Sequence, residues 1–288
     1  MKGSVFRRRA GWRALVCAGL WLGSGCATPA ADSVPRAEAR QQLASGRSSY
    51  AQRQWKPASV AFGRAALIFA ALSEPSAETA ALRDQGEALR RAGDLETAVS
   101  VYQHALELDR RLGQRQDQAR DLGGLARCAA AQQKTALAIL TTEEALTLAD
   151  AGTALAAVLE NDLALYLLAR GDRGDPVRAI GLLASALASN QSRGDARGVA
   201  SNELNLGRAE LAVGDSGLAE SHLERALEGF RALQDPEGLA ETQEMLARLS
   251  LARHQVEQVR FHQEQARAGF EFLGDRGGLR RIESLVVQ

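Results

Sequence analysis

The chain has 288 residues, of which 45% are hydrophobic and 24% are charged; this permits a sizeable core and excludes wholesale disorder. Aromatic residues make up only 5% and alanine is abundant, which favours closely packed helices over a β-sandwich or barrel. Five of the 35 basic residues and none of the 35 acidic residues lie in residues 1–25. The remainder is therefore mildly acidic, which gives no electrostatic reason to expect a nucleic acid as a partner.

Residues 1–25 are predicted to be an export signal. A basic start precedes an apolar run from Ala14 to Leu22, which is too short to span a bilayer but is typical of the core of a signal peptide. The small residues before Cys26 resemble a bacterial lipobox, although Gly23 stands where that motif has an aliphatic residue. This resemblance implies that Cys26 is lipidated and becomes the mature N-terminus. The alternative is an ordinary signal peptide cut at residues 30–31.

Residues 26–36 are predicted to be a short tether, because Pro29 and Pro35 interrupt a segment of small and polar residues. The resemblance to lipoproteins also bears on location. Ala27 is not the Asp that retains such proteins at the inner membrane of enteric bacteria. We therefore expect a lipid anchor in the outer membrane and a protein that faces the periplasm.

The rest of the chain repeats a unit of about 40 residues six times. Three columns of small residues keep a nearly fixed register from copy to copy, which chance does not explain. The first column, at intervals of 40, 40, 41, 40 and 40, is Ala65, Ala105, Ala145, Ala186, Ala226 and Ala266. The second column stands seven residues earlier and is Ala58, Ala98, Ala138, Ala179, Ala219 and Val259. The third column, which a local insertion displaces once, is Gly46, Gly86, Ala126, Ala164, Gly207 and Ala247.

Each copy has the pattern of a helical hairpin. Apolar and small residues recur at i, i+3, i+4 and i+7 on either side of a corner, and at Gly93-Asp94 and Gly214-Asp215 that corner combines a helix-ending Gly with a helix-capping Asp. The arrangement resembles the tetratricopeptide repeat, over nearly all of residues 37–275. The copies depart from it in length, 40 residues instead of 34, and in lacking a bulky anchor at Thr142 and Gln263. HEAT repeats are the alternative at this length.

Residues 276–288 are predicted to form a capping helix, because Leu279, Ile282, Leu285 and Val286 recur on one helical face. The expected fold class is therefore all-α. The resemblance implies a right-handed superhelical solenoid of about six hairpins, closed by that thirteenth helix. One hairpin cannot hide its apolar face alone, so stacked neighbours should bury a continuous core.

No catalytic or metal-binding constellation stands out in the sequence. The histidines lack the spacing that places two metal ligands on one helical face, and no phosphate-binding glycine loop or nucleophile elbow is present. Cys128 lies in an apolar stretch and is expected to be a packed core thiol. We expect neither an enzyme, nor a cofactor, nor a metal site.

The resemblance also implies where a partner binds. In tetratricopeptide arrays the first helix of each pair lines a concave groove, and the position after the small residue points into it. The expected groove residues, at or near that position, are Arg47, Arg83, Glu87, Arg90, Arg127, Arg208 and Arg248. Guanidinium groups bind carboxylates in a bidentate manner, so an acidic segment of a protein or peptide is one expected partner. The alternative is that these arginines are ordinary solvated side chains.

We therefore expect an interaction scaffold or adaptor of the bacterial envelope, which assembles an envelope machine or recruits a cell-wall enzyme. The alternative is a secreted, soluble array that senses a ligand and reports to a signalling partner. Repeat arrays host many functions, so the fold alone does not decide between them.

Overall fold

The structure of this protein is a computed structural model. The structure describes residues 34–285. The predicted signal, Cys26 and most of the predicted tether therefore lie outside the described residues, as does Val286.

Thirteen α-helices make up the described part of the chain, and no strand occurs between residues 34 and 285. They are α1 (Val34–Ala51), α2 (Trp55–Ala71), α3 (Pro75–Ala92), α4 (Leu95–Leu112), α5 (Arg115–Ala131), α6 (Thr135–Leu148), α7 (Ala154–Arg170), α8 (Asp175–Arg193), α9 (Ala196–Val213), α10 (Ser216–Ala232), α11 (Pro236–Ala252), α12 (Val256–Leu273) and α13 (Arg276–Glu283). Each helix packs against the next in chain order, so that α1 to α12 form six hairpins and α13 follows them. The predicted all-α solenoid with a final helix is confirmed.

Two boundaries differ from the prediction. The first helix begins at Val34, inside the predicted tether, because Pro35 falls in the first helical turn, where its missing N–H removes no intrahelical bond. The last helix ends at Glu283, and Leu285 packs beyond it against the core of the final hairpin. No helix among the described residues is long and apolar enough to cross a membrane.

The columns of small residues are the contact points between helices. Every alanine of the first two columns has no exposed surface, and Val259 is 1% exposed. The third column faces the bulky anchors: a Cβ atom added at Gly46 would lie 2.6 Å from the Phe62 ring, and one added at Gly86 would lie 2.8 Å from the Tyr102 ring. The three glycines of this column therefore face Phe62, Tyr102 and Leu223, where no larger residue fits.

The Gly-Asp corners act as expected from the sequence. Gly93 ends α3 with a left-handed φ of 84°, and the Asp94 carboxylate accepts a hydrogen bond from the backbone N–H of Thr97 at the start of α4. The corner before α8 is different. There the Asp175 carboxylate accepts from Arg170 at 2.6 and 2.8 Å and from the Asp172 N–H at 3.1 Å, which ties the longer turn to the end of α7.

One contact joins the first and last hairpins. Arg53, at the corner between α1 and α2, pairs with Glu237 at the start of α11, with 2.9 Å between Nη2 and Oε2. The two residues are 184 positions apart in the sequence. The winding of successive hairpins therefore brings the corner of the first hairpin against the start of the sixth.

Candidate functional site

Three cavities lie along the odd-numbered helices, and together we call them the groove. The N-terminal cavity, between α1 and α3, has a volume of about 380 Å³. The central cavity, formed by α3, α5 and α7, has about 420 Å³. The C-terminal cavity, formed by α7, α9 and α11 with Arg281 of α13, has about 800 Å³, a size typical of binding clefts.

The structure places six of the seven predicted groove residues on the walls of these cavities. Arg47 lines the N-terminal cavity, Glu87 both that cavity and the central one, and Arg83 and Arg127 the central cavity. Arg208 and Arg248 line the C-terminal cavity. Arg90 lies next to them, bonded to Glu87.

Glu87 is the centre of an ion cluster between the first three hairpins. Its carboxylate accepts hydrogen bonds from Arg90 at 2.6 and 2.9 Å, from Arg91 at 3.0 Å and from the Tyr50 hydroxyl at 3.3 Å. Burial raises the pKa of Glu87, but the bonds and charge of Arg90 and its neighbours outweigh burial and lower that pKa to about 2. Glu87 is therefore a fixed negative charge in the wall of the groove.

Arg127 and Arg83 are also neutralised by acids of the array. Arg127 pairs with Asp162 of the next hairpin at 3.2 Å and approaches Glu87 at 3.9 Å. Arg83 pairs with Asp109 at 2.6 Å. Arg83 also lies 3.2 Å from Asp117 of α5. Arg127 and Arg83 therefore connect successive hairpins, so their guanidinium groups stiffen the groove and do not stand free to receive a ligand.

The same is true of Arg248, whose Nη2 lies 2.9 Å from Glu244. Arg281 of α13 bonds the other oxygen of that carboxylate at 3.0 Å. Of the predicted arginines, only Arg47 and Arg208 lack an ion pair among the described residues, and Arg47 is exposed. The expected row of free guanidinium groups is therefore not what the groove presents: most of its positive charge is already compensated.

Several groove residues were not anticipated from the sequence. Asn161 accepts hydrogen bonds through its Oδ1 from Asn202 at 3.2 Å and Asn205 at 2.9 Å, which joins α7 to α9 on the wall of the C-terminal cavity. Glu241 of α11 lines the same cavity. A sequence signal for some of them exists. The polar residues Asp84, Asp162 and Asn205 stand three residues before the predicted groove position that follows each small residue, about one turn away on the same helical face.

Two groups of types that often take part in catalysis, Cys128 and His222, are held in contacts within the array. Cys128 has no exposed surface, and burial raises the pKa of its thiol to about 11, which confirms the predicted core thiol. No cluster of three metal-ligating side chains occurs between residues 34 and 285. The His222 ring nitrogen contacts Glu203 at 2.7 Å, a contact between α10 and α9.

A tetratricopeptide repeat family model matches residues 77–151, which span nearly all of the second hairpin and the whole of the third. No curated protein matches the chain. Among solved structures, the chain is similar to BtubC (BKLC) from P. vanneervenii, with 19% sequence identity and a TM-score of 0.61. That match covers 85% of this chain and 94% of that chain.

Two further similar structures are Rap proteins. One is described as a Rap protein complexed with Competence and Sporulation Factor, with 15% identity and a TM-score of 0.62 over 86% of this chain and 79% of that chain. The other is the Rap conjugation gene regulator of the plasmid pLS20 in complex with the Phr* peptide, with 14% identity and a TM-score of 0.64 over 90% and 70%. At these identities the likeness shows a shared fold, the tetratricopeptide-type solenoid.

Proposed function

We propose that residues 34–285 form a protein-interaction scaffold that holds an extended segment of a partner protein in the groove, and that the chain is not an enzyme. The observation that carries this proposal is the series of three cavities along the odd-numbered helices. Its walls are stiffened by ion pairs between hairpins, which limits the entropy lost when a ligand binds. The matched repeat family and the two Rap structures of the same fold, one with a factor and one with a peptide, support a protein or peptide ligand.

The first test compares apolar side chains on the two faces of the array. A library of dodecapeptides, acetylated and amidated so that only side chains carry charge, is selected against the full chain. Val158→Asp and Leu165→Asp place a charge in the central and C-terminal cavities. In at least one of these two variants, the affinity for a selected peptide should fall about tenfold or more, because a desolvated acid replaces an apolar contact.

Leu140→Asp is the matched control, since Leu140 of α6 is 64% exposed and lines none of the three cavities. It should leave the affinity unchanged, measured by fluorescence anisotropy. If Leu140→Asp weakens binding and both groove variants do not, the partner uses the opposite face and this function is wrong.

We further propose that the array is an envelope lipoprotein, held by a lipid at Cys26 in the outer membrane and facing the periplasm, where it assembles an envelope machine or recruits a cell-wall enzyme. The basic start, the short apolar run and the small residues before Cys26 support this location. Cys26→Ser should abolish labelling by a fatty-acid probe and move the protein to the soluble fraction. A variant that stays labelled and membrane-bound contradicts the lipid anchor.

A second candidate is a secreted, soluble array that senses a peptide and reports to a signalling partner. The two Rap structures favour it, because both are described as complexes with a factor or peptide. Fractionation separates the candidates: a parent chain that is soluble and unlabelled by the fatty-acid probe favours the sensor over the anchored scaffold.

A further inference from the structure

The C-terminal cavity holds equal numbers of positive and negative side chains. Four guanidinium groups and four carboxylates line it, namely Arg197, Arg208, Arg248, Arg281, Asp235, Glu237, Glu241 and Glu244. The cavity as a whole is therefore neutral. It gives no general preference for an acidic or a basic segment, and the pairing of individual groups decides what it can bind.

Three of the four charges of each sign are already paired. Arg197 bonds Asp235 at 2.9 Å, and Arg248 and Arg281 share Glu244. Glu237 forms an ion pair with Arg53 of the first hairpin. One cation, Arg208, and one anion, Glu241, remain without a hydrogen bond or ion pair to any described residue.

Both of these charges are desolvated by the walls of the cavity. Burial lowers the pKa of Arg208, and burial raises the pKa of Glu241. The two groups attract each other electrostatically but lie too far apart to form an ion pair. Both side chains are half-buried. A charge that is partly removed from water and left unpaired is unfavourable, so both groups gain from a ligand that supplies the missing partner.

We infer that the C-terminal cavity binds a peptide segment that carries one acidic and one basic side chain, with its carboxylate on Arg208 and its cationic group on Glu241. This inference rests on the proposed function, since it assumes that the ligand of the groove is a peptide. A wholly acidic segment would meet Glu241, and a wholly basic one would meet Arg208. The planar fork of Arg208 suits a bidentate carboxylate.

Asn161 offers a third contact to the same ligand. Its Oδ1 accepts from Asn202 and Asn205, and its Nδ2 donates to none of the described residues. The side chain lines the cavity, so its two N–H groups can donate to a backbone carbonyl of the segment. The cavity thus combines one site for a carboxylate, one for a cation and one for the main chain.

The test uses the acetylated and amidated dodecapeptide library on the full chain and on charge variants of this cavity. The parent should enrich peptides with an acidic and a basic residue at a fixed separation. Arg208→Gln should remove only the acidic preference, and Glu241→Gln only the basic one. Each should weaken a selected peptide about 10- to 100-fold, the range expected for a lost charge-assisted hydrogen bond. The double exchange Arg208→Glu with Glu241→Arg should enrich the two charges in the opposite order along the peptide.

Arg267→Gln is the matched control, because Arg267 of α12 is exposed, has no hydrogen bond or ion pair to any described residue, and lines none of the three cavities. It should leave the charge pair in the selected peptides unchanged. Circular dichroism checks that each variant folds. If Arg208→Gln does not fold, Arg208→Lys takes its place in the test; this variant keeps the positive charge and should keep the acidic preference.

Two results would overturn the inference while the proposed function stands. One is a set of groove-bound peptides, sensitive to Val158→Asp or Leu165→Asp, that share no acidic and basic pair. The other is an acidic preference that survives Arg208→Gln. Selected peptides that neither groove variant weakens, by contrast, would contradict the proposed function itself.

Discussion

Replacing Gly124 with Ala should destabilise the array by about 1–3 kcal/mol, whereas the same replacement at Gly181 should stabilise it by about 0.5–1 kcal/mol. The Tyr102 ring lies between α3 and α5, against Gly86 on one and Gly124 on the other. A Cβ atom added at Gly124 would overlap ring atoms of Tyr102, which is 2% exposed and cannot move aside into solvent.

Gly181 provides the opposite case within the same fold. It lies inside α8, faces solvent, and has no atom within 4 Å of an added Cβ. Alanine there only lowers the entropy of the unfolded chain. Thermal or denaturant unfolding of both variants measures the change in the free energy of unfolding, which should be negative for Gly124→Ala and positive for Gly181→Ala. Equal effects at the two positions would mean that Tyr102 does not close the junction between the second and third hairpins.

Replacing Asp121 with Asn should stabilise the protein by about 1–3 kcal/mol at pH 8 and leave its stability at pH 4 nearly unchanged. Both carboxyl oxygens of Asp121 are buried without a hydrogen-bond partner among the described residues. The nearest cation is Arg83, at 3.6 Å, and it is shared with Asp109 and Asp117. Burial, together with the Asp109 carboxyl, raises the pKa of Asp121 to about 8 against the lowering effect of Arg83.

The sign of the pH dependence follows from proton binding. In the unfolded chain an Asp has a pKa of about 3.9, so between about pH 4 and pH 8 only the folded state keeps the Asp121 proton. Stability contributed by this group is complete below pH 4 and falls as the pH rises towards 8. Asn cannot ionise, so the variant lacks this decline. Denaturant titrations at pH 4, 6 and 8 measure the free energy of unfolding of both proteins. If it changes with pH in the same way for parent and variant, the raised pKa of Asp121 is contradicted.

Local chemistry made the fold predictable from the sequence. The alanine columns require close helix contacts, and they are fully buried in the structure. The Gly93-Asp94 corner needs only a left-handed residue and a capping carboxylate next to each other, and these two residues are visible in the sequence. Such features depend on neighbours within one hairpin, so their spacing in the sequence is sufficient.

The pairing of the charged side chains in the groove depends on contacts between hairpins, and it was less predictable from the sequence. The position of Arg127 on the groove face followed from the repeat register, but its partner Asp162 is 35 residues away on the next hairpin. The pairing of Arg53 with Glu237 depends on the rotation accumulated over all intervening hairpins. For the same reason, the sequence could not tell that Arg208 stays unpaired while Arg248 does not.

The most direct measurement of the central claim is site-specific photo-crosslinking of a selected peptide. A benzophenone side chain is introduced at Ser201 of α9, on the wall of the C-terminal cavity, or at Ser221 of α10, which is exposed and lines none of the three cavities. Binding in the groove predicts a crosslinked product from position 201 and none from position 221. A product from position 221 alone would place the partner on the even-numbered helices and contradict the groove as the binding site.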